Sequence, residues 1–159
     1  MPPLSRRMAL FLLLAPQAAA APHETAGRVI YIHDGNSLTL LLHDQRRLRL
    51  RLADIEAPAL DQPFGEHARQ ALTALAWQQD AIVLVTGVDA AAQPVGKLFI
   101  GGREAGQVML RLGAARVSRR QAGDPVLLAI EAEARRAGRG LWSVPEGAGA
   151  TAAQAPPRD

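Results

Sequence analysis

Several residue types are scarce or missing in this chain: among its 159 residues there is no cysteine, only one lysine, and 4% aromatic residues. The absence of cysteine excludes disulfides, thiol catalysis and cysteine-ligated zinc. The small number of aromatic residues argues against an extended base-stacking surface, and Tyr31, Trp77 and Trp142 lie in contexts that predict core packing. An excess of charge is also missing, because the formal net charge is only +3. Basicity is therefore weak support for a nucleic-acid partner.

The N-terminus has the pattern of a secretory signal peptide. Arg6 and Arg7 precede an apolar run from Met8 to Leu14, and small residues follow at 18–20. The run is too short to span a bilayer. We therefore predict a signal peptide over residues 1–20 and a secreted protein, periplasmic or extracellular. Of the 18 basic residues 16 then remain, against 15 acidic residues.

The length that remains after the signal peptide predicts one domain, over residues 27–142, followed by a disordered tail over 143–159 that is rich in Gly, Ala, Pro and Gln. Strands are expected at 28–33, 38–43, 47–52, 81–88 and 97–100, and helices over 61–77, over 104–112 and from Asp124 onward. A loop with Pro94 and Gly96 is expected before the fifth strand. Five strands with a helix after the third are typical of a closed Greek-key barrel of the OB type, which gives an α+β, β-rich fold class.

The third strand carries a strict alternation, Arg47-Leu48-Arg49-Leu50-Arg51-Leu52. In a strand, alternate side chains point to opposite faces. The three leucines are therefore predicted to point inward and the three arginines outward.

Three motifs follow one another along the chain. They are Asp34-Gly35-Asn36-Ser37, then Arg51-Leu52-Ala53-Asp54-Ile55-Glu56-Ala57-Pro58-Ala59, then Gln62-Pro63-Phe64-Gly65-Glu66-His67-Ala68. This order resembles the staphylococcal nuclease-like (thermonuclease) family, whose patterns are Asp-Gly-Asp-Thr, Arg-Leu-x-x-Ile-Asp-x-Pro-Glu and Gln-Pro-x-Gly-x-x-Ala. The resemblance extends from about Gly27 to Trp142. It implies the OB-type barrel and calcium-dependent hydrolysis of nucleic-acid phosphodiesters.

The resemblance implies a calcium site at Asn36, Glu56 and the backbone carbonyl of Ala57. Family members have aspartate at the first two positions. Calcium takes several oxygen ligands and benefits from their charge, whereas Asn36 is uncharged and Glu56 is one carbon longer. Any Ca²⁺ site is thus expected to be weak, and the residues alone also fit a turn asparagine and an exposed loop carboxylate.

The glutamate that activates or positions the attacking water in the family corresponds to Ala59, which has no group that accepts a proton. General-base catalysis contributes about 10²–10⁴-fold, so hydrolysis is expected to be impaired. Three nearby carboxylates are candidates to replace the missing base, and nothing in the sequence gives their direction: Asp54, Asp61 and Glu66.

The two phosphate-binding arginines of the family correspond to Arg51 and Lys97. Lysine keeps the charge but lacks the planar fork that binds two phosphate oxygens at once. Together with Arg49, these residues are the predicted contacts for nucleic acid or another polyanion. A further basic group lies before the last helix and is interpreted as part of a solvated loop: Arg116, Arg119 and Arg120.

The leading hypothesis is a secreted thermonuclease-like domain that is impaired in calcium-dependent hydrolysis and retains nucleic-acid or polyanion binding. Two alternatives stay open. One is an active secreted metal-dependent endonuclease, and the other is an envelope protein-interaction module that uses the barrel only as a platform.

Overall fold

The computed structural model describes residues 22–143, so the predicted signal peptide and all of the predicted tail except Ser143 lie outside the described residues. The elements are β1 His23–Ile32, β2 Ser37–Leu42, β3 Arg47–Leu52, β4 Ile55–Glu56, α1 Gly65–Ala76, β5 Asp80–Val88, β6 Pro94–Ile100, β7 Arg103–Glu104, α2 Ala105–Arg111, β8 Arg116–Val117 and α3 Pro125–Arg136. Short 3₁₀ turns lie at Arg119–Gln121 and Gly140–Trp142. None of the helices within 22–143 is long and apolar enough to cross a membrane.

Five long strands form a closed barrel. Their order is β3-β2-β1-β5-β6, and the barrel closes where β3 pairs in parallel with β6, at Arg51↔Val95 and Leu52↔Gly96. This arrangement confirms the predicted OB-type barrel. Leu50 and Leu52 of β3 are buried and Leu48 is partly buried, while the three arginines that alternate with them are exposed, as the alternation predicts.

The helices cover one side of the barrel. α2 packs against α1, α3 and β6. α3 begins as predicted, because Pro125 occupies its first turn and the Asp124 carboxylate accepts hydrogen bonds from two backbone amides. α1 begins at Gly65 rather than at the predicted 61, because Phe64 has a left-handed backbone conformation (φ 66°) that no α-helix continues through.

The loop predicted around Pro94 and Gly96 is wrong, because both residues belong to β6. Pro94 is the first residue of the strand, a position that proline tolerates. A Cβ at Gly96 would collide with the carbonyl oxygen of Leu84 on β5 and lie 2.9 Å from the Cα of Val85. The glycine therefore allows a close approach of two barrel strands, and it does not indicate a loop.

The prediction that the aromatic residues pack in the core is wrong for Tyr31 and Trp77, which are 58% and 50% exposed. In β1 the pairing register shifts between Val29 and Tyr31, which is a β-bulge. The extra residue reverses the alternation, so Ile32 points inward and Tyr31 outward. Trp77 follows the last residue of α1 and lies outside its apolar face. Trp142 is partly buried, with two guanidinium groups over its ring.

Candidate functional site

An open groove of about 600 Å³ lies where β3 leads into β4. Its walls are the β3–β4 segment, the loop between β5 and β6, and the 3₁₀ turn after β8. The charged and polar residues that line it are Arg51, Asp54, Glu56, Thr86, Asp89, Ser118, Arg120 and Gln121. The structure therefore brings the predicted site residues Arg51, Asp54 and Glu56 together with Arg120. The sequence alone places Arg120 in a solvated loop.

Arg51 is the phosphate-binding candidate at the end of β3. Its side chain is 47% exposed, and its Nη1 lies 3.8 Å from Oδ2 of Asp89. The other oxygen of Asp89 accepts hydrogen bonds from the backbone amides of Ala91 and Gln93, at 2.9 and 3.0 Å. The loop thus fixes the Asp89 carboxylate beside Arg51. An ion pair this long and this exposed is weak, so a phosphate oxygen is able to compete for the guanidinium.

Lys97, the second phosphate-binding candidate, is held by two carboxylates. Its Nζ lies 3.0 Å from Oδ2 of Asp54 and 3.5 Å from Oε1 of Glu104, and these two carboxylate side chains are only 11% and 10% exposed. Burial alone would lower the pKa of Lys97 and is the largest single influence, but the hydrogen bond to Asp54 and the two negative charges outweigh it and raise that pKa. Lys97 therefore stays charged, and its charge is already neutralised within the protein.

Arg120 is the groove cation that the sequence analysis missed. The two-residue pairing of β4 with β8 and the hydrogen bond from Ser118 N to Asp54 O (2.8 Å) hold the 3₁₀ turn against the groove. Ser118 Oγ accepts from the Arg120 backbone amide at 3.4 Å and donates to Oε1 of Glu56 at 3.3 Å. The Arg120 guanidinium forms no ion pair within residues 22–143, so it remains available to an anionic ligand.

The predicted calcium ligands differ in their burial and in their partners. Asn36 is only 7% exposed, and its backbone amide and the Ser37 hydroxyl donate to the two oxygens of Asp34, at 2.9 and 3.0 Å. Ala57 and Glu56 both line a second pocket next to the groove. Within residues 22–143 no group of three or more His, Asp or Glu side chains lies close enough to hold a metal ion. Calcium takes six to eight oxygens, and Glu56 is the one charged side chain among the predicted ligands.

Ala59, at the predicted base position, is exposed, and its backbone amide donates to the side chain of Gln62 at 2.9 Å. Asp61 and Glu66 lie away from the groove lining, and Glu66 is bound to Arg69 and Gln70 on α1. The hydrogen bond from Arg69 is the main reason why the pKa of Glu66 is lowered. Asp54 lines the groove, but it is the partner of Lys97.

Comparison with known proteins matches this chain to one family. The family model described as staphylococcal nuclease homologue matches residues 49–144. Protein ParB of Escherichia coli is 33% identical over 150 residues, which cover 87% of this chain and 84% of that protein. Micrococcal nuclease of Shigella flexneri is 35% identical over 130 residues, 75% of this chain and 74% of that protein. An uncharacterized endonuclease of Haemophilus influenzae is 27% identical over 134 residues, 84% of this chain and 75% of that protein.

Proposed function

This chain belongs to the staphylococcal nuclease family, and on that premise we propose that it is a secreted domain that binds nucleic acid and is impaired in calcium-dependent phosphodiester hydrolysis. One observation carries the proposal. The groove keeps Arg51 and adds Arg120, while the positions of the family's calcium ligand and general base hold Asn36 and Ala59.

Impaired hydrolysis is supported by the carboxylates of the site. A metal-dependent phosphodiesterase needs ligands for the ion and a group that accepts a proton from water. Glu56 is the only charged side chain at the predicted ligand positions, and Ser118 already donates to it. Of the three candidate bases predicted from the sequence, Asp54 is the one that lines the groove. Its carboxylate is 3.0 Å from the Lys97 ammonium. Both carboxylates, Glu56 and Asp54, thus already have a partner, so neither replaces the missing metal ligand or the missing general base.

Retained binding is supported by the cations. Arg51 and Arg120 line the same groove. One guanidinium group donates two parallel hydrogen bonds to two oxygens of a phosphate. Lys97, which is not among the residues that line the groove, offsets the charge of Asp54. The contacts are to phosphate, so the expected ligand is a polynucleotide recognised with little regard to base sequence.

The test is equilibrium binding of labelled single-stranded DNA and RNA to the purified protein at low salt, followed by fluorescence anisotropy. We expect binding that weakens with salt, with a slope of log K against log[salt] of about −0.7 for each phosphate contacted. Arg51→Ala is expected to reduce affinity, whereas Arg136→Ala, which removes an exposed charge on α3, leaves it unchanged. Absence of binding at low salt, or equal effects of the two variants, would overturn the binding part.

Hydrolysis is tested on the same substrates with calcium titrated against a chelator. We expect no cleavage above the background given by the Arg51→Ala protein. Cleavage that requires calcium and disappears in Arg51→Ala would contradict the proposed impairment and would identify an active enzyme.

Secretion is the remaining part of the proposal, and it rests on the arginine pair and apolar run at residues 6–14. Expression of the full chain in a Gram-negative host, followed by fractionation and N-terminal sequencing, is the test. We expect a periplasmic or extracellular product that begins at Ala21. An intact N-terminus in the cytoplasm would reject this part and leave the binding part untouched.

A further inference from the structure

We propose that the outer face of β1, β2 and β3 around Tyr31 is a base-stacking surface, which continues the groove as a contact track for single-stranded nucleic acid. The inference rests on the proposed function, since it assumes a polynucleotide in the groove. It concerns a different part of the molecule, because Tyr31 lies two strands away from Arg51.

The strand registers define this surface. Tyr31 on β1 is paired with Thr39 on β2, and Thr39 is paired with Arg49 on β3. Directly paired residues of neighbouring strands point to the same face, so the three side chains form a row on the outside of the barrel. The bulge in β1 is what places the tyrosine there. Arg51 stands one step further along the same face of β3 and lines the groove.

The tyrosine ring contacts one neighbouring ring and stays largely exposed. It lies 4.8 Å from the ring of His33, centroid to centroid, with the planes at 57°. His33 is itself fixed by a 2.8 Å hydrogen bond between its Nε2 and Oγ1 of Thr39. Burial, and secondarily the charge of Arg49, lower the pKa of His33, so this ring is neutral near pH 7. A positioned aromatic ring that stays 58% exposed offers a base a face on which to stack.

The charges around this ring suit a phosphate backbone. Arg47, Arg49 and Arg51 all point outward from β3, spaced about 7 Å apart at two residues per step. The carboxylate of Asp34 lies near His33, and both of its oxygens already accept hydrogen bonds within the turn. The groove, by contrast, contains three carboxylates, those of Asp54, Glu56 and Asp89. The outer face of β3 is thus the more favourable place for a strand leaving the groove.

The geometry favours a single strand over a duplex. From Arg51 to Tyr31 the path crosses two strand spacings and one step along β3, a distance of about 12 Å. Only an unpaired base is free to turn out and stack on one protein ring. A segment of a few nucleotides therefore extends from the groove cations to the tyrosine. A dinucleotide bound at Arg51 does not need the contact with Tyr31.

The experiment compares two single-stranded probes, oligothymidylate of about twelve nucleotides, within the site sizes of OB-type barrels, and a thymidine dinucleotide. Affinities are measured for wild type, Tyr31→Ala and Tyr31→Phe. Tyr31→Ala is expected to weaken binding of the long probe about tenfold and to leave the dinucleotide unchanged. Tyr31→Phe keeps the ring and is expected to bind both probes like wild type. Arg49→Ala is expected to weaken the long probe and reduce its salt slope.

Each outcome separates this inference from the proposed function. If wild type binds the long probe in an Arg51-dependent manner but Tyr31→Ala binds it equally well, the stacking surface is refuted and the groove proposal stands. Equal losses for both probes would mean that Tyr31 acts on the groove through the fold, which also overturns the inference. If neither probe binds wild type, the proposed function itself fails.

Discussion

Replacement of Lys97 by methionine tests whether this residue is a structural counter-charge or a ligand for phosphate. Methionine keeps the length and removes the charge. Asp54 and Glu104 are then left, 11% and 10% exposed, without the ammonium that lies 3.0 and 3.5 Å from them. Removing one partner of a fully buried ion pair costs about 3–5 kcal/mol, and an exposed pair contributes about 0–1 kcal/mol. Lys97 is 31% exposed and lies between these cases, so we expect a loss of about 2 kcal/mol in the free energy of unfolding.

The assay is thermal and urea denaturation followed by circular dichroism. In a domain of this size 1 kcal/mol corresponds to about 4 °C in Tm, so Lys97→Met should unfold about 8 °C below wild type. Lys97→Arg keeps the charge and should lose less than half as much. The double variant Lys97→Met/Asp54→Asn should regain about 1 kcal/mol relative to Lys97→Met, because one of the two uncompensated charges is gone.

The pH dependence of the Lys97 contribution follows from its raised pKa. A lysine whose pKa is higher in the folded state than its ordinary 10.5 stabilises the fold fully below that ordinary value. The contribution is lost only as pH rises through the raised value. The stability difference between wild type and Lys97→Met should therefore be constant near neutrality and shrink above about pH 10.5. An unchanged Tm in Lys97→Met together with a large loss of affinity for single-stranded DNA would refute the structural assignment.

Three further predictions concern the groove and the barrel. Arg120→Ala should weaken single-stranded DNA binding about as much as Arg51→Ala does and reduce the salt slope by about 0.7; an affinity equal to wild type in anisotropy titrations would remove Arg120 from the site. Asp89→Asn should strengthen binding about threefold, as expected for loss of a weak competing ion pair, and weaker binding in the same titration would show that Asp89 instead positions the arginine. Gly96→Ala should destabilise the fold by about 2 kcal/mol or more through its collision with β5, whereas Gly87→Ala, which meets nothing within 4 Å, should change the urea midpoint little.

The barrel was predictable because its signals are local and repeated. The alternation of leucine and arginine in β3 gives the strand, its inner face and its outer face without any tertiary information. The bulge in β1 was not predictable, because Ile30-Tyr31-Ile32 is apolar throughout and has no alternation to shift. The direction of Tyr31 depends on how β1 pairs with β2, and such a register is set by the sheet and not by the residue.

The groove was predictable only in part, because its remaining residues come together through very short pairings. Arg120 reaches the site through β4 and β8, which pair at two positions only, too few for a pattern to reveal. The pairing of Lys97 with Glu104 depends on the hairpin between β6 and β7, which pair at two positions only and show no alternation in the sequence.

The turns that carry positions 36 and 59 are held by contacts that do not involve the side chains at these positions. The turn after β1 is held by Asp34, which binds the backbone amide of residue 36 and the hydroxyl of Ser37, and neither bond requires a carboxylate at position 36. The turn that carries Ala59 is held by its backbone amide on Gln62 and by Gly65, where a Cβ would collide with the Ala59 carbonyl oxygen. Neither contact uses the side chain at position 59. A change of the side chain at position 36 or 59 therefore leaves these turn contacts in place, whereas loss of Lys97 would leave two nearly buried charges unpaired.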